Sequence, residues 1–188
     1  MYKGQLLVKV LIIFIALSFS KTFADSKLSD VNQKKAGVIY NLSKFIDWPD
    51  ITLSREKFNI CLTSKTVFLD AMKTFEKRKI RGLEVRIHVL KNITSNTLSV
   101  CQTLYINSSE QQLLSNILTL LNNKSILTVS DLSNFSLQGG MIELIQIKKR
   151  VQFAINLDAA KAVNLLISAQ LLRLAKTVKY KNNQINNH

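Results

Sequence analysis

The sequence predicts an α/β domain: a mixed sheet of about six strands covered by helices, with a helical C-terminal end. Three observations predict it. Amphipathic helical spacing alternates with short apolar runs between Ser29 and Leu121. A polar loop and two nearly contiguous strands follow between Ile126 and Asn156. From Ala162 to Leu174 the apolar residues run almost all round a helix, the pattern of a buried one. A chain of 188 residues holds one such domain.

Residues 1–24 stand outside it. Lys3 and Lys9 precede the apolar run Val10 to Phe19, and Thr22-Phe23-Ala24 supply the small-residue end, the three-part pattern of a secretory signal peptide cleaved after Ala24. A run of ten residues is too short to span a bilayer comfortably. Residues 25–180 are then the exported, soluble domain, and 181–188 a flexible polar tail. The formal charge of +14 falls to +11 when Lys3, Lys9 and Lys21 leave with the leader. The densest remaining cluster (Lys73, Lys77, Arg78, Lys79, Arg81) has no interleaved aromatics on which bases would stack, and export argues further against nucleic acid. Solubility and attraction to anionic surfaces remain.

Val31, Val38, Ile39, Leu42, Phe45 and Ile46 recur at three and four, one face of a helix from Ser29 to Asp47 that Pro49 stops. Trp48 at its end is a core anchor or a ligand or partner contact. Phe58 to Thr63 reads as the first strand, Thr66 to Phe75 as a short helix, and Leu83 to Val89 as a strictly alternating strand with His88 facing solvent. Thr103 to Ile106 is a third strand, Glu110 to Leu121 a helix, and Ile126 to Val129 a fourth strand. The last two strands meet at a solvated turn, Lys148-Lys149-Arg150, because three cations resist burial. Asp158 caps the C-terminal helical region, with a break near Ser168 and a frayed tail from Lys179.

The loop from Ser130 to Gly140 holds the functional interest, since α/β proteins build sites on polar loops that leave the carboxyl end of a buried strand. Asp131 serves there as a loop cap or a ligand contact. Phe135 is tucked into the core or offered to a partner. Gly139 and Gly140, followed by Met141, serve a tight turn or the close approach of a ligand or partner backbone. Chemistry is otherwise absent: there is no nucleophile elbow, zinc motif, phosphate-cradling loop or Cys/His cluster, and with two histidines in bland settings no catalytic residue, metal or cofactor is expected. Cys61 and Cys101, in an oxidising compartment, pair as a structural cystine or form a redox-sensing pair without the CxxC spacing. A cystine closing a loop of about 40 residues stabilises by roughly 4 kcal/mol.

The ordered set KAGVIYNLSKFIDWP (Lys35 to Pro49), FNICLT with Cys61, CQTLYI with Cys101, LTVSD (Leu127 to Asp131), FSLQGGMIEL (Phe135 to Leu144), VQFAIN (Val151 to Asn156) and LLISAQLLRLAKTV (Leu165 to Val178) resembles the YfiR-like family of periplasmic regulators. The resemblance implies a protein that binds the periplasmic sensor domain of an inner-membrane diguanylate cyclase and holds it inactive. Cyclic di-GMP and biofilm formation then fall. It also implies a homodimer, an outer-membrane lipoprotein that draws the regulator away, and a disulfide that looks like Cys61–Cys101. A second cysteine pair found in some relatives is missing, so the resemblance does not carry over the redox control proposed for them. The competing reading is a small-ligand module, with Trp48 near the 130–140 loop, reporting to a sensor kinase or cyclase.

Overall fold

A computed structural model describes residues 30–49, 56–64, 68–180 and 183–186; the expected leader lies outside them. Helix α1 (30–44) and the two-residue β1 (Ile46–Asp47) come first. Then follow β2 (Lys57–Leu62), α2 (Phe68–Lys73), β3 (Lys79–Ile80), β4 (Leu83–Val89), α3 (Ser95–Leu98) and β5 (Thr103–Ile106). A 3₁₀ turn at Ser108–Leu113 and α4 (Leu114–Leu120) lead to β6 (Leu127–Ser130). The remainder is β7 (Ile142–Ile147), β8 (Arg150–Asn156), α5 (Leu157–Ala162), β9 (Leu166–Ile167), α6 (Ala169–Leu174), β10 (Thr177–Tyr180) and β11 (Asn183–Asn186).

The α/β class holds, with a larger sheet than the six strands expected. Among the described residues nine strands form one sheet in the order β11-β10-β8-β7-β6-β5-β2-β4-β3, and β1 pairs separately with β9. Strands β4, β2, β5, β6 and β7 are parallel; β8 turns back antiparallel to β7, and β10 runs parallel to β8. The order reverses at β2, with β4 on one side and β5 on the other. Sites in such sheets form beyond the carboxyl ends of the parallel strands.

Both sheet faces are buried near β2, so its sequence KFNICL lacks a polar-out register. One face carries Phe58, Ile60 and Leu62 into a core with Ile39 of α1, Met72 of α2 and Leu171 of α6. The other carries Cys61, with Leu104 and Ile106, against Leu98 of α3 and Leu114 and Ile117 of α4. Each fully buried large aliphatic contributes about 1.5–3 kcal/mol, against 0–1 kcal/mol for an exposed ion pair, so these two layers carry the fold. On the second layer Cys61 and Cys101 are joined, with Cα atoms 5.8 Å apart. The expected cystine is present and buried.

The largest departure from expectation is the C-terminal region. The continuous helical stretch is cut into α5, β9, α6 and β10, and the tail adds β11 rather than fraying. Asn164, at φ 59°, ends α5, while the Leu165 amide donates to the Ala160 carbonyl at 3.0 Å. Asn156, not Asp158, caps α5, and Ser168 caps α6 at the expected break. Val178 then pairs with Ile155, because the free edge of β8 offers backbone partners that outweigh helical spacing. Leu166 and Leu174, expected inside, are 61% and 64% exposed. Two smaller boundaries also move. Helix α1 ends at residue 44 because Ile46–Asp47 pair with β9, and the first half of the expected 110–121 helix is 3₁₀.

Candidate functional site

β6 is buried along its whole length and delivers the 130–140 segment to the carboxyl end of the sheet. Ser130 starts the loop: its hydroxyl donates to the Ile106 carbonyl (2.7 Å) and accepts from the Leu132 amide (3.0 Å). Asp131 follows, and its Oδ2 accepts from Lys35 Nζ at 2.6 Å, with both side chains under one-fifth exposed. That bond ties α1 to the end of β6. Tyr105 stands close by, and burial, with the Asp131 charge second, pushes its phenol well above the ordinary value.

The loop is braced from within. Glu143 on β7 accepts from the amides of Asn134 (3.0 Å) and Ser136 (3.2 Å) and from the Ser136 hydroxyl (2.9 Å). Asn156 does two things: its Nδ2 donates to the Ser136 carbonyl (2.8 Å), and its Oδ1 accepts from Ala159 N as the cap of α5. Thr128 Oγ1 takes the Met141 amide at 2.9 Å. A segment with this many charge-assisted and buried bonds keeps one shape.

Of the residues singled out in the sequence, Phe135 is fully buried and Met141 nearly so. Both are core residues. Gly140 lets the chain pass the Phe135 ring, and Gly139, at φ 103°, turns it. Trp48 is not near the loop. Its indole donates to the Gln102 carbonyl (3.2 Å) and packs edge-on against Phe58, at the amino ends of β5 and β2, while the loop leaves the carboxyl end of β6. The pairing of Trp48 with the loop is therefore corrected: Pro49 does not continue α1 toward the loop, and the indole instead closes the core at the opposite edge of the strands.

The loop presents other groups. Ser133, Asn134, Gln138 and Gly139 are exposed, and Leu137 is 48% exposed. A Cβ at Gly139 would stand 3.6 Å from Leu118, so the loop tip abuts α4. Between α4, the tip and α5 lies a cleft of about 530 Å³. Leu114, Leu118, Met141 and Ala159 form apolar walls, Gln112 and Asn122 supply amides, and no lining residue is charged. Leu113, at the entry to α4, is a second exposed apolar residue. Sequence reasoning missed Leu137, whose one signal was an apolar side chain between Ser136 and Gln138 in a polar loop. It did not find the bracing roles of Glu143 and Asn156, because each stands in a strand that reads as scaffold.

Among the described residues there is no cluster of His, Cys, Asp or Glu that would hold a metal ion. No helix of the described residues is long and apolar enough to cross a membrane. The family model described as YfiR/HmsC-like matches residues 32–176, which takes in both core layers, the cystine and the loop. No curated protein matches the chain.

Proposed function

Because the chain belongs to the YfiR/HmsC-like family, we propose that it is a periplasmic regulatory binding protein that holds an inner-membrane diguanylate cyclase inactive. It does so by binding the cyclase's periplasmic sensor domain. The observation that carries the binding surface is the braced 130–140 loop, which exposes Leu137 and lends its next two residues, Gln138 and Gly139, to a cleft whose lining carries no charge. Preorganised apolar anchors give affinity because little ordering entropy is lost on docking. In this reading Asp131, Phe135, Gly140 and Met141 shape the surface from behind, Gly139 turns the chain at its exposed tip, and exposed Leu137, Gln138 and Leu113 touch the partner. Trp48 is a core residue outside it.

An exported regulator cannot touch a cytoplasmic cyclase domain. It acts by binding one state of the outer domain better than the other, and near-complete control takes about 5.5 kcal/mol of differential affinity. An interface of standard size supplies that. The reading extends to a homodimer and to release by an outer-membrane lipoprotein, and it leaves enzymatic turnover out.

A second reading keeps the same surface but fills the cleft. Its volume is that of a small-molecule site, and its amides and aliphatic walls suit a neutral ligand. The chain would then report a small molecule to its membrane partner. A pull-down of the mature protein from detergent-solubilised membranes of its own cell, oxidised and reduced in parallel, separates the two. Recovery of a cyclase-bearing membrane protein supports the inhibitor; recovery of no membrane protein moves the weight to the small-ligand module.

A further inference from the structure

The last turn of α1 and the chain from α2 to β4 bring Lys44, Lys73, Lys77, Arg78, Lys79 and Arg81 to one end of the domain, all six exposed. Tyr40 organises them. Its hydroxyl donates to the Lys79 carbonyl at 3.0 Å, and the Lys44 ammonium and Arg78 guanidinium stand 5.2 and 5.9 Å from its ring centroid. Arg78 also lies 4.7 Å from the ring of Phe75, which stacks on Tyr40. Lys77 and Arg81 turn the chain with φ of 63° and 51°, and two backbone bonds between Lys77-Arg78 and Val85 hold the turn onto β4. Local structure explains part of this: Lys44 and Lys73 complement helix C-termini, and Arg81 bonds Asp47 and the Ile46 carbonyl. The other five cations form no salt bridge among the described residues.

We propose that this basic end adsorbs to an anionic phospholipid surface, holding the protein at the membrane independently of any protein partner. The chemistry favours a bilayer over an acidic protein. Protein interfaces are depleted in lysine and need an apolar centre, whereas this cluster has one large exposed apolar residue at its margin, Leu166, whose strand partner Asp47 bonds Arg81, and none at its centre. A charged bilayer needs no such centre, since each Lys or Arg near its surface strengthens attachment about fivefold. The cluster also leaves the proposed regulatory surface free, because β5 and β2 separate β6 from β4 in the sheet.

The test is sedimentation of the mature protein with phosphatidylcholine vesicles, with and without about one-third phosphatidylglycerol. Binding is expected only to the anionic vesicles and is lost at salt on the order of 0.5 M, where the Debye length is a few ångströms. The triple variant Lys44→Gln, Lys73→Gln, Lys79→Gln should bind about 100-fold more weakly. The charge-matched control Lys91→Gln, Lys149→Gln, Lys161→Gln should change little, with both triples melting as the wild type does. Equal weakening by the two triples would reduce the effect to net charge and overturn the proposal. So would failure of the wild type to bind anionic vesicles, or binding to polyglutamate in their place. No cyclase enters the assay, so failure here leaves the regulatory reading standing.

Discussion

The ring of Phe135 occupies the space that a side chain at position 140 would need, and the Gly140 amide donates to the Phe135 carbonyl at 3.0 Å. The candidate surface is thus shaped from inside. A glycine without positive φ is required there for close approach alone.

Gly140→Ala should therefore destabilise by about 1–3 kcal/mol through overpacking against a fully buried ring. The double variant Gly140→Ala, Phe135→Leu should lose less than the sum of the two single changes, since both act on one space. Urea denaturation of the four proteins measures this, and strict additivity would contradict the contact.

Glu143→Ala removes the acceptor for two loop amides and the Ser136 hydroxyl. Leaving these groups unpaired costs about 1–3 kcal/mol, felt mostly in the loop. Hydrogen exchange at Asn134 and Ser136 should speed up at least tenfold while β2 and β5 keep their protection. Unchanged exchange at both amides would show that the carboxylate does not brace the loop.

Reduction of Cys61–Cys101 should lower stability by roughly 4 kcal/mol in the chain-entropy model, the closed loop being 40 residues. The urea midpoint with and without reductant reads it. An unchanged midpoint would leave the cystine without a structural role.

The raised phenol of Tyr105 gives a pH dependence. Its folded value lies above the unfolded value of 10.0, so its contribution is complete below pH 10 and is lost as pH rises beyond it. Tyrosinate absorbance should show one phenol that does not titrate until the protein unfolds in alkali. Tyr105→Phe should remove that late step.

The longer helices and strands up to β6 and the β7–β8 hairpin were legible because spacing specifies them locally, whereas β1, β3 and α3, of two to four residues each, are too short to carry a period. Val178 and Leu166 were not legible either. Both sit in an apolar run with helical spacing, and the partners that make them strand residues, Ile155 and Asp47, are distant in sequence. The 130–140 loop was found from its polarity, yet its aromatic was assigned a choice that only packing decides. Phe135 is core, and the exposed apolar residue is Leu137 two positions on. Trp48 misled for a similar reason, since nothing local says which end of the strands an indole closes.

The most direct test of the regulatory account is cyclic di-GMP formation from GTP by detergent-solubilised membranes of the protein's own cell, with purified mature chain added. The account predicts that the wild type lowers the rate. It also predicts that Leu137→Asp, with its melting unchanged because the residue is 48% exposed, is at least tenfold less potent. A rate unaffected by the wild-type protein would contradict inhibition, and equal potency of the two proteins would remove the loop from the interface.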